Sequence, residues 1–274
     1  MSIVKYRYYL ISIWKLLKDF TPRSHILRVF LKLPYSQNQI IRLLQNDLRF
    51  YTRGAMDIWT IKETFVDRFY EKYGSPIQNG WTVVDIGAGI GDFSILSAFG
   101  FPDNMVFAYE PTPESFQYLE KNLVANKISN VKPNKQAVWS VSGDIYINTD
   151  HNEPGQFTSR PIENSSASQS FLKVPSITLE DLFKSASIDT INLLKLDCEG
   201  AEYSILFHTP DYIFRLIERI VLEYHDSIVE FNHQDLISFL ESRGYSVSSY
   251  PNYVHSHLGY LYALRQDKDS IPEE

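Results

Sequence analysis

The stretch Val83-Val84-Asp85-Ile86-Gly87-Ala88-Gly89-Ile90-Gly91-Asp92-Phe93-Ser94 reads as a buried strand, a glycine turn and the start of a helix. Glycines let the backbone approach a ligand closely, and a helix N-terminus offers free N–H groups. A dinucleotide-binding turn needs G-x-G-x-x-G, with the pyrophosphate over that helix. Here the third glycine comes one residue early, and Asp92 fills the slot of the last glycine. An acid aimed at a pyrophosphate repels it. Asp85, just ahead of the glycines, suits a cationic amino-acid moiety instead. The turn therefore favours S-adenosylmethionine over a dinucleotide.

Downstream of this turn, short apolar runs alternate with helical ones. The runs are 82–86 then 92–99, 105–110 then 113–126, 131–138, 191–197 then 200–207, and 219–225 then 232–243. That βαβα rhythm predicts an α/β fold, a parallel sheet with helices on both faces. The final pair, 245–250 and 258–265, reads as a hairpin, so the last strand is expected to be antiparallel. Gly143 is placed in an extra β-hairpin with 144–148 as its second strand. Residues 150–170, rich in Ser, Asn, Pro and Gly, read as a long mobile loop. Upstream, Leu10, Ile13, Trp14 and Leu17 recur at helical spacing with Lys15 and Lys18 between them. Further helical patterns cover 36–50 and 57–73, the latter closed by Gly74. The expected organisation is a helical cap with a basic amphipathic arm (1–75), an α/β domain (76–266) and a tail (267–274).

Ligands in such sheets bind beyond the carboxyl ends of the strands. The second strand ends in Phe107-Ala108-Tyr109-Glu110-Pro111. A carboxylate at Glu110 can accept ribose hydroxyls, which indicates an adenosine-type ligand without choosing one. Gln136-Ala137-Val138 close the third strand and sit near the adenine by placement. Ile191 to Glu202 carries Lys195 near a strand end and then Asp197, Glu199 and Glu202. Glu223-Tyr224-His225-Asp226 reach the same edge, with Glu223 and His225 on one face. Asp85, Glu110, Asp197 and Glu199 should converge on one crevice.

The L-K-x-D-x-E-G-x-E pattern of Leu194 to Glu202 follows Ser176-Ile177-Thr178-Leu179-Glu180-Asp181-Leu182, with the glycine turn before both. This combination resembles the FkbM-type S-adenosylmethionine-dependent methyltransferases, over about residues 80–264. The resemblance implies a class I methyltransferase fold, a seven-stranded mixed sheet of order 3-2-1-4-5-7-6. It also implies O-methylation of a hydroxyl on a sugar or glycan, lipid-linked ones included, or on a secondary metabolite. Carried over by motif, Asp85, Gly87, Gly89, Gly91 and Glu110 would hold the cofactor. Ala88, Pro111, Gln136, Ala137 and Asp197 would lie beside it, and Asp197 and Glu199 would line the catalytic end. The Asn-Pro-Pro-Tyr type of motif used for nitrogen methylation is absent. The rival readings are a non-catalytic binding module that keeps the crevice, and a nucleic-acid methyltransferase, which is the weaker of the two.

An alcohol is a poor nucleophile until its proton is removed, so a general base or a metal is expected. His225 is the first candidate base, because an ordinary imidazole titrates near neutrality. Asp197 is the second. Lys195 is a candidate for orienting Asp197 or the acceptor oxygen, although a salt bridge is the commoner reason for such a lysine. Asp197, Glu199 and Glu223, with Asp226, offer the hard oxygen ligands that Mg²⁺ favours. The alternative is a set of carboxylates serving the sulfonium, Lys195 and helix N-termini. Cys198 reads as a small buried hydrophobe. His255 and His257 lie at the rim of the crevice. Arg53, Asp57, Trp59 and Glu63 either close over the ligands or pack the cap on the core.

Composition sets the outer limits. The chain has 274 residues, 44% hydrophobic and 22% charged, which argues against disorder. One cysteine excludes an intrachain disulfide framework and any multi-cysteine zinc site. The apolar run from Tyr8 to Leu17 is interrupted by Ser12 and Lys15 and is too short to span a bilayer. A cytoplasmic protein is expected. The net charge of −7 hides an asymmetry: residues 1–53 hold ten Lys/Arg against two Asp/Glu, and the rest hold 16 against 31. A basic arm ahead of an acidic body suits a membrane surface, an anionic substrate or nucleic acid. Residues 1–20 are accordingly expected either on a lipid surface or packed on their own domain.

Overall fold

The computed structural model describes residues 3–35, 39–148, 158–159, 171–252, 255 and 257–266. The chain opens with α1 (Ile3–Asp19), β1 (Phe20–Thr21) and α2 (Arg23–Phe30). Next come β2 (Gln39–Leu43) and β3 (Leu48–Thr52), and β1-β2-β3 form a small antiparallel sheet. The helical expectation for 36–50 is therefore corrected. Ile41, Leu43, Leu48, Phe50 and Thr52 are buried while Ile40, Arg42 and Arg49 are exposed, a period of two that belongs to strands. The expected single helix 57–73 is also broken. It consists of α3 (Ala55–Lys62), a π-helical turn over Glu63–Asp67 and α4 (Phe69–Lys72), with Arg68 left-handed at φ 54° between the last two.

The body alternates β4 (Thr82–Ile86), α5 (Asp92–Ala98), β5 (Met105–Tyr109), α6 (Pro113–Ala125) and β6 (Val131–Asn134). Four strands then build a side sheet: β7 (Ala137–Val138), β8 (Gly143–Asn148), β9 (Thr158–Ser159) and β10 (Phe171–Ile177), in the order β7-β10-β8-β9. Two expectations change here. The run 131–138 is split between two sheets. The partner of β8 is β10, beyond the 150–170 segment, rather than the strand before it. Thr158–Ser159 pair with β8; the rest of 150–170, and the tail 267–274, lie outside the described residues. The chain finishes with α7 (Leu179–Ala186), β11 (Leu193–Leu196), α8 (Ala201–Phe207), α9 (Asp211–Phe214), β12 (Arg219–His225), α10 (His233–Glu241), β13 (Tyr245–Pro251) and β14 (Leu258–Arg265).

The main sheet runs β6-β5-β4-β11-β12-β14-β13, which counted along the chain is 3-2-1-4-5-7-6. Pairing is parallel except at β14, which is antiparallel to both neighbours. Alternate residues of each strand face opposite cores. Val84, Ile86, Leu194, Leu196 and Leu222 join the cluster under α7, α8, α9 and α10. Val83, Val106, Leu193 and Val221 join the cluster under α5 and α6. Leu16, Phe20, Ile41, Phe50, Ile58 and Ile61 belong to that second cluster, so the cap and the sheet share a core.

Polar groups lock the cap in place. Asn126 of α6 accepts from the Arg49 N–H at 2.8 Å and donates to the Arg49 carbonyl at 2.7 Å. Asn122 accepts from the Tyr51 N–H at 2.6 Å. Two side chains thus stand in for a strand neighbour along the free edge of β3. Helix α1 packs on its own domain, but through Ser12 and Leu16; Leu10, Ile13 and Trp14 of the predicted stripe point outward. Among the described residues no helix is long and apolar enough to cross a membrane.

Candidate active site

The glycine turn is shaped by close packing at two positions. Gly87 is left-handed at φ +76°, and a Cβ there would lie 1.9 Å from the Asp197 carbonyl oxygen. The ends of β4 and β11 come together at a distance only glycine permits. Gly91, at φ +89°, starts α5, and its Cβ would lie 2.4 Å from Leu119 of α6. Gly91 therefore serves helix packing and, unlike Gly87, Ala88 and Gly89, does not line the cavity. The N–H groups of Gly87 and Ala88 both donate to the Tyr109 carbonyl at 3.0 Å, and that of Gly91 to Ala88 at 2.8 Å. The Gly89 N–H donates to Glu110 Oε2 at 2.9 Å. The donors a dinucleotide site would turn toward a pyrophosphate are engaged inside the fold.

Asp85 is corrected as a ligand-facing residue. It is fully buried and lies behind the turn, accepting from Ser94 Oγ at 2.6 Å with Lys195 Nζ at 3.1 Å. Lys195 in turn donates to the Gly87 carbonyl at 2.8 Å and sits 3.9 Å from Asp197 Oδ2. Burial pulls the Lys195 pKa down, but Asp85, Asp197 and Asp92 outweigh it and hold the ammonium above its ordinary value. Lys195 braces the turn between Asp85 and the Gly87 carbonyl.

Beyond the carboxyl ends of the strands lies a cavity of about 550 Å³, within the range of small-molecule sites. One half is lined by the glycine turn, Glu110, Pro111, Thr112 and the run Ala137 to Trp139. Glu110 is 6% exposed and accepts from the Thr112 N–H at 2.9 Å as well as from Gly89. Burial raises its carboxyl pKa, opposed by those hydrogen bonds and by Arg53. Gln136 is outside the lining, while Ala137, Val138 and Trp139 are in it, because the chain leaves β6 before Gln136 and re-enters at β7. Asp92, at the floor, accepts a hydrogen bond from Thr64 Oγ1, and burial pushes its carboxyl up to about 6.

The other half is made of side chains. Tyr70 donates to Asp197 Oδ2 at 2.8 Å. Among the described residues, Asp197, Glu223 and His225 bring three potential ligand atoms within 4.8 Å of one another. The expected metal set of Asp197, Glu199 and Glu223 is not what comes together. Glu199 is left-handed at φ 54°, and its Oε2 lies 3.4 Å from His225 Nε2. On the other ring edge, Glu202 Oε1 lies 3.4 Å from His225 Nδ1. Asp226, also counted among the acids, is engaged by Tyr203 at 2.9 Å and His233 at 2.7 Å.

His225, the first candidate base, is thus crowded by acids. Burial favours the uncharged imidazole, but Glu202, Glu199 and Glu223 outweigh it and raise the pKa well above 6.5. The neighbouring carboxyls move upward too. Burial takes Glu199 to about 7. Burial and then the charge of Asp197 take Glu223 well above the carboxylate range. Burial likewise lifts the Cys198 thiol well above its usual value, which disfavours the thiolate.

The cap supplies the roof. Arg53 is clamped by Asp57 at 2.7 Å and donates to Ser115 at 2.9 Å; both Arg53 and Asp57 line the cavity. Glu63, in the π-helical turn, accepts from Trp59 Nε1 at 2.8 Å and from Tyr8 at 3.4 Å. Burial pushes its carboxyl up to about 7. His255 and His257 are at the rim. The sequence reading missed Tyr70, which looked like one more apolar position of a helical stripe. It also passed over Asp92 and Glu202. Glu202 accepts from the N–H groups of Cys198 (2.7 Å) and Gly200 (2.8 Å), which fixes the acidic turn. Its place as the last acid of D-x-E-G-x-E was the available signal.

Known proteins resemble this chain over most of the α/β domain. Residues 85–247 match the family model described as the methyltransferase FkbM domain. Methyltransferase 1 of Beauveria bassiana is 26% identical over 224 residues, covering 75% of this chain and 88% of that protein. The 31-O-demethyl-FK506 methyltransferase FkbM of Streptomyces tacrolimicus is 24% identical, covering 68% and 80%. The hexuronic acid methyltransferase AglP of Haloferax volcanii is 24% identical, covering 66% and 71%.

Proposed function

The chain belongs to the FkbM family of S-adenosylmethionine-dependent methyltransferases, and from that premise we propose that it methylates a hydroxyl of an uncharged sugar, glycan or secondary metabolite. The observation that carries this reading is the meeting of Asp197, Glu223 and His225 within 4.8 Å, in the cavity that Glu110 and the glycine turn also line.

When bound, S-adenosylmethionine supplies a methyl made electrophilic by a sulfonium. The half of the cavity that would hold it suits a cation with an adenosine group. Glu110 would accept the ribose hydroxyls, Ala137 to Trp139 would wall the base, and Asp92 and Asp197 would suit the positive charge; all of them line the cavity. Asp197 stands where the two halves join, oriented by Tyr70 and close to Lys195. Asp197 would take the proton of the acceptor hydroxyl while that oxygen displaced the methyl in line, the C–O bond forming as the sulfonium C–S bond breaks and S-adenosylhomocysteine leaves. His225 and Glu223 would hydrogen-bond other oxygens of the acceptor. Trp59, Tyr70 and Tyr260 offer ring faces and exclude water.

Two of these relatives, named for 31-O-demethyl-FK506 and for hexuronic acid, support an oxygen-rich acceptor. The acids here argue against a carboxylated one, which would face Glu63, Asp197 and Glu199. A second reading has a divalent cation held by Asp197, Glu223 and His225, favoured by their mutual distance. The test is S-adenosylhomocysteine release by the full chain over a panel of neutral sugars, amino sugars, uronic acids and amines. Each is run with Mg²⁺ and with EDTA. Turnover confined to uronic acids or to amines sinks the proposal, and loss in EDTA restored by Mg²⁺ selects the second reading.

A further inference from the structure

The apolar stripe of α1 faces solvent. Leu10 is 54% exposed and Trp14 60%, with Ile11 and Ile13 beside them; Leu27, Leu31 and Leu33 on and after α2 are also exposed. The helix has no freedom to roll this stripe inward. Its other face is fixed by buried Ser12 and Leu16, by a Lys15–Asp67 ion pair at 2.6 Å, and by Lys62 lying 5.0 Å from the Tyr8 ring. Exposed apolar side chains on this scale call for a covering surface.

Charge identifies that surface. Residues 1–35 hold seven Lys/Arg and one Asp/Glu, in a chain whose net charge is −7. Arg7, Lys18, Arg23, Arg28 and Lys32 are exposed around the apolar side chains, and Lys18 lies 5.1 Å from the Trp14 ring. A second copy docked on the same patch would bring its own cations against these. A phosphate polymer would match the charge but leave Trp14 and Leu10 without apolar contact. An anionic lipid surface satisfies both, with apolar groups in the acyl boundary and cations at the headgroups.

We infer that α1 and α2 form a docking face for an anionic membrane surface. The face connects directly to the cavity. Trp59, which lines it, packs against Tyr9 of α1 at 5.8 Å and Phe30 of α2 at 6.3 Å. Docking would set the cavity roof at the interface, where an acceptor embedded in lipid can reach it. The inference does not depend on the identity of the methyl acceptor.

The test is co-sedimentation of the full chain with extruded vesicles of phosphatidylcholine, with and without phosphatidylglycerol, at low and high salt. Binding is expected only to the anionic vesicles and should weaken with salt. Trp14→Glu with Leu10→Glu should lower it at least ~10-fold, and Arg28→Glu with Lys32→Glu by a comparable factor. Both double variants should keep the parent melting temperature and S-adenosylhomocysteine affinity, since the replaced side chains are exposed and lie outside the cavity. Failure to sediment with anionic vesicles at low salt overturns the inference, as does undiminished binding by the Trp14→Glu/Leu10→Glu variant. Analytical ultracentrifugation showing a dimer that this variant dissolves would assign the face to a second copy. Tight binding of an RNA oligonucleotide unaffected by the variant would assign it to nucleic acid.

Discussion

The two halves of the cavity are built from different materials. The half around the glycine turn and Glu110, proposed to hold the cofactor, is mostly backbone. The turn after β4 has its N–H groups engaged by Tyr109, Ala88 and Glu110, and Gly87 permits its contact with β11. The half around Asp197, Glu223 and His225, proposed to take the acceptor, is mostly side chains, drawn from the ends of β11 and β12, the cap and the last hairpin, and its ionisable groups are displaced from their ordinary pKa values. One half has a fixed geometry that a whole family can share. In the other, charge and proton position are set by neighbours from distant parts of the chain, and there acceptor specificity can vary.

If this division is right, substitutions should separate binding from turnover. Asp197→Asn should lower kcat by about 10²–10⁴-fold, the range for losing a general base. S-adenosylhomocysteine affinity should change little, and equal losses in rate and affinity would erase the distinction between the halves. Gly87→Ala should destabilise the whole protein by about 3 kcal/mol or more, lowering Tm by roughly 6–12 °C in a thermal melt. A small shift would mean that β4 and β11 can separate without cost. Glu110→Gln should weaken cofactor binding by about 10-fold while leaving kcat at saturation near the parent value. A fall in kcat with unchanged affinity would move Glu110 to the acceptor side.

The smallest effect concerns proton position. Burial raises the Glu63 carboxyl from an ordinary 4.5 to about 7 in the folded chain. The folded state therefore keeps a proton that the unfolded state has already released. Stability from this group is fully present below about pH 4.5 and is lost as pH rises through 7. Glu63→Gln should thus melt above the parent at pH 8 and level with it at pH 4.5. A constant gap across that range would sharpen the comparison differently, by showing that Glu63 acts through packing and not through its charge.

How much was legible in the sequence follows the same division. The glycine turn, Glu110 at the end of β5 and Asp197 at the end of β11 were all readable, because each follows from a strand whose hydrophobic run fixes where it stops. The cap misled because the apolar pairs Ile40-Ile41 and Leu43-Leu44 fit a helical period as well as a strand, and only the Asn122 and Asn126 bonds to Tyr51 and Arg49 reveal an edge to be covered. The break at Arg68 carries no glycine or proline to announce it. Asp85 was read as facing the ligand because spacing shows which strand end it occupies but not that Lys195 lies between it and the turn. The charge around His225 is not legible locally, because Glu199 and Glu202, 3.4 Å from its two ring nitrogens, come from a different strand end.

The most direct test of the division is calorimetric titration of S-adenosylhomocysteine into the parent chain, Glu110→Gln and Asp197→Asn. The account predicts micromolar binding to the parent, clear weakening in Glu110→Gln, and nearly parental affinity in Asp197→Asn. No binding to the parent, or equal loss in both variants, would contradict it.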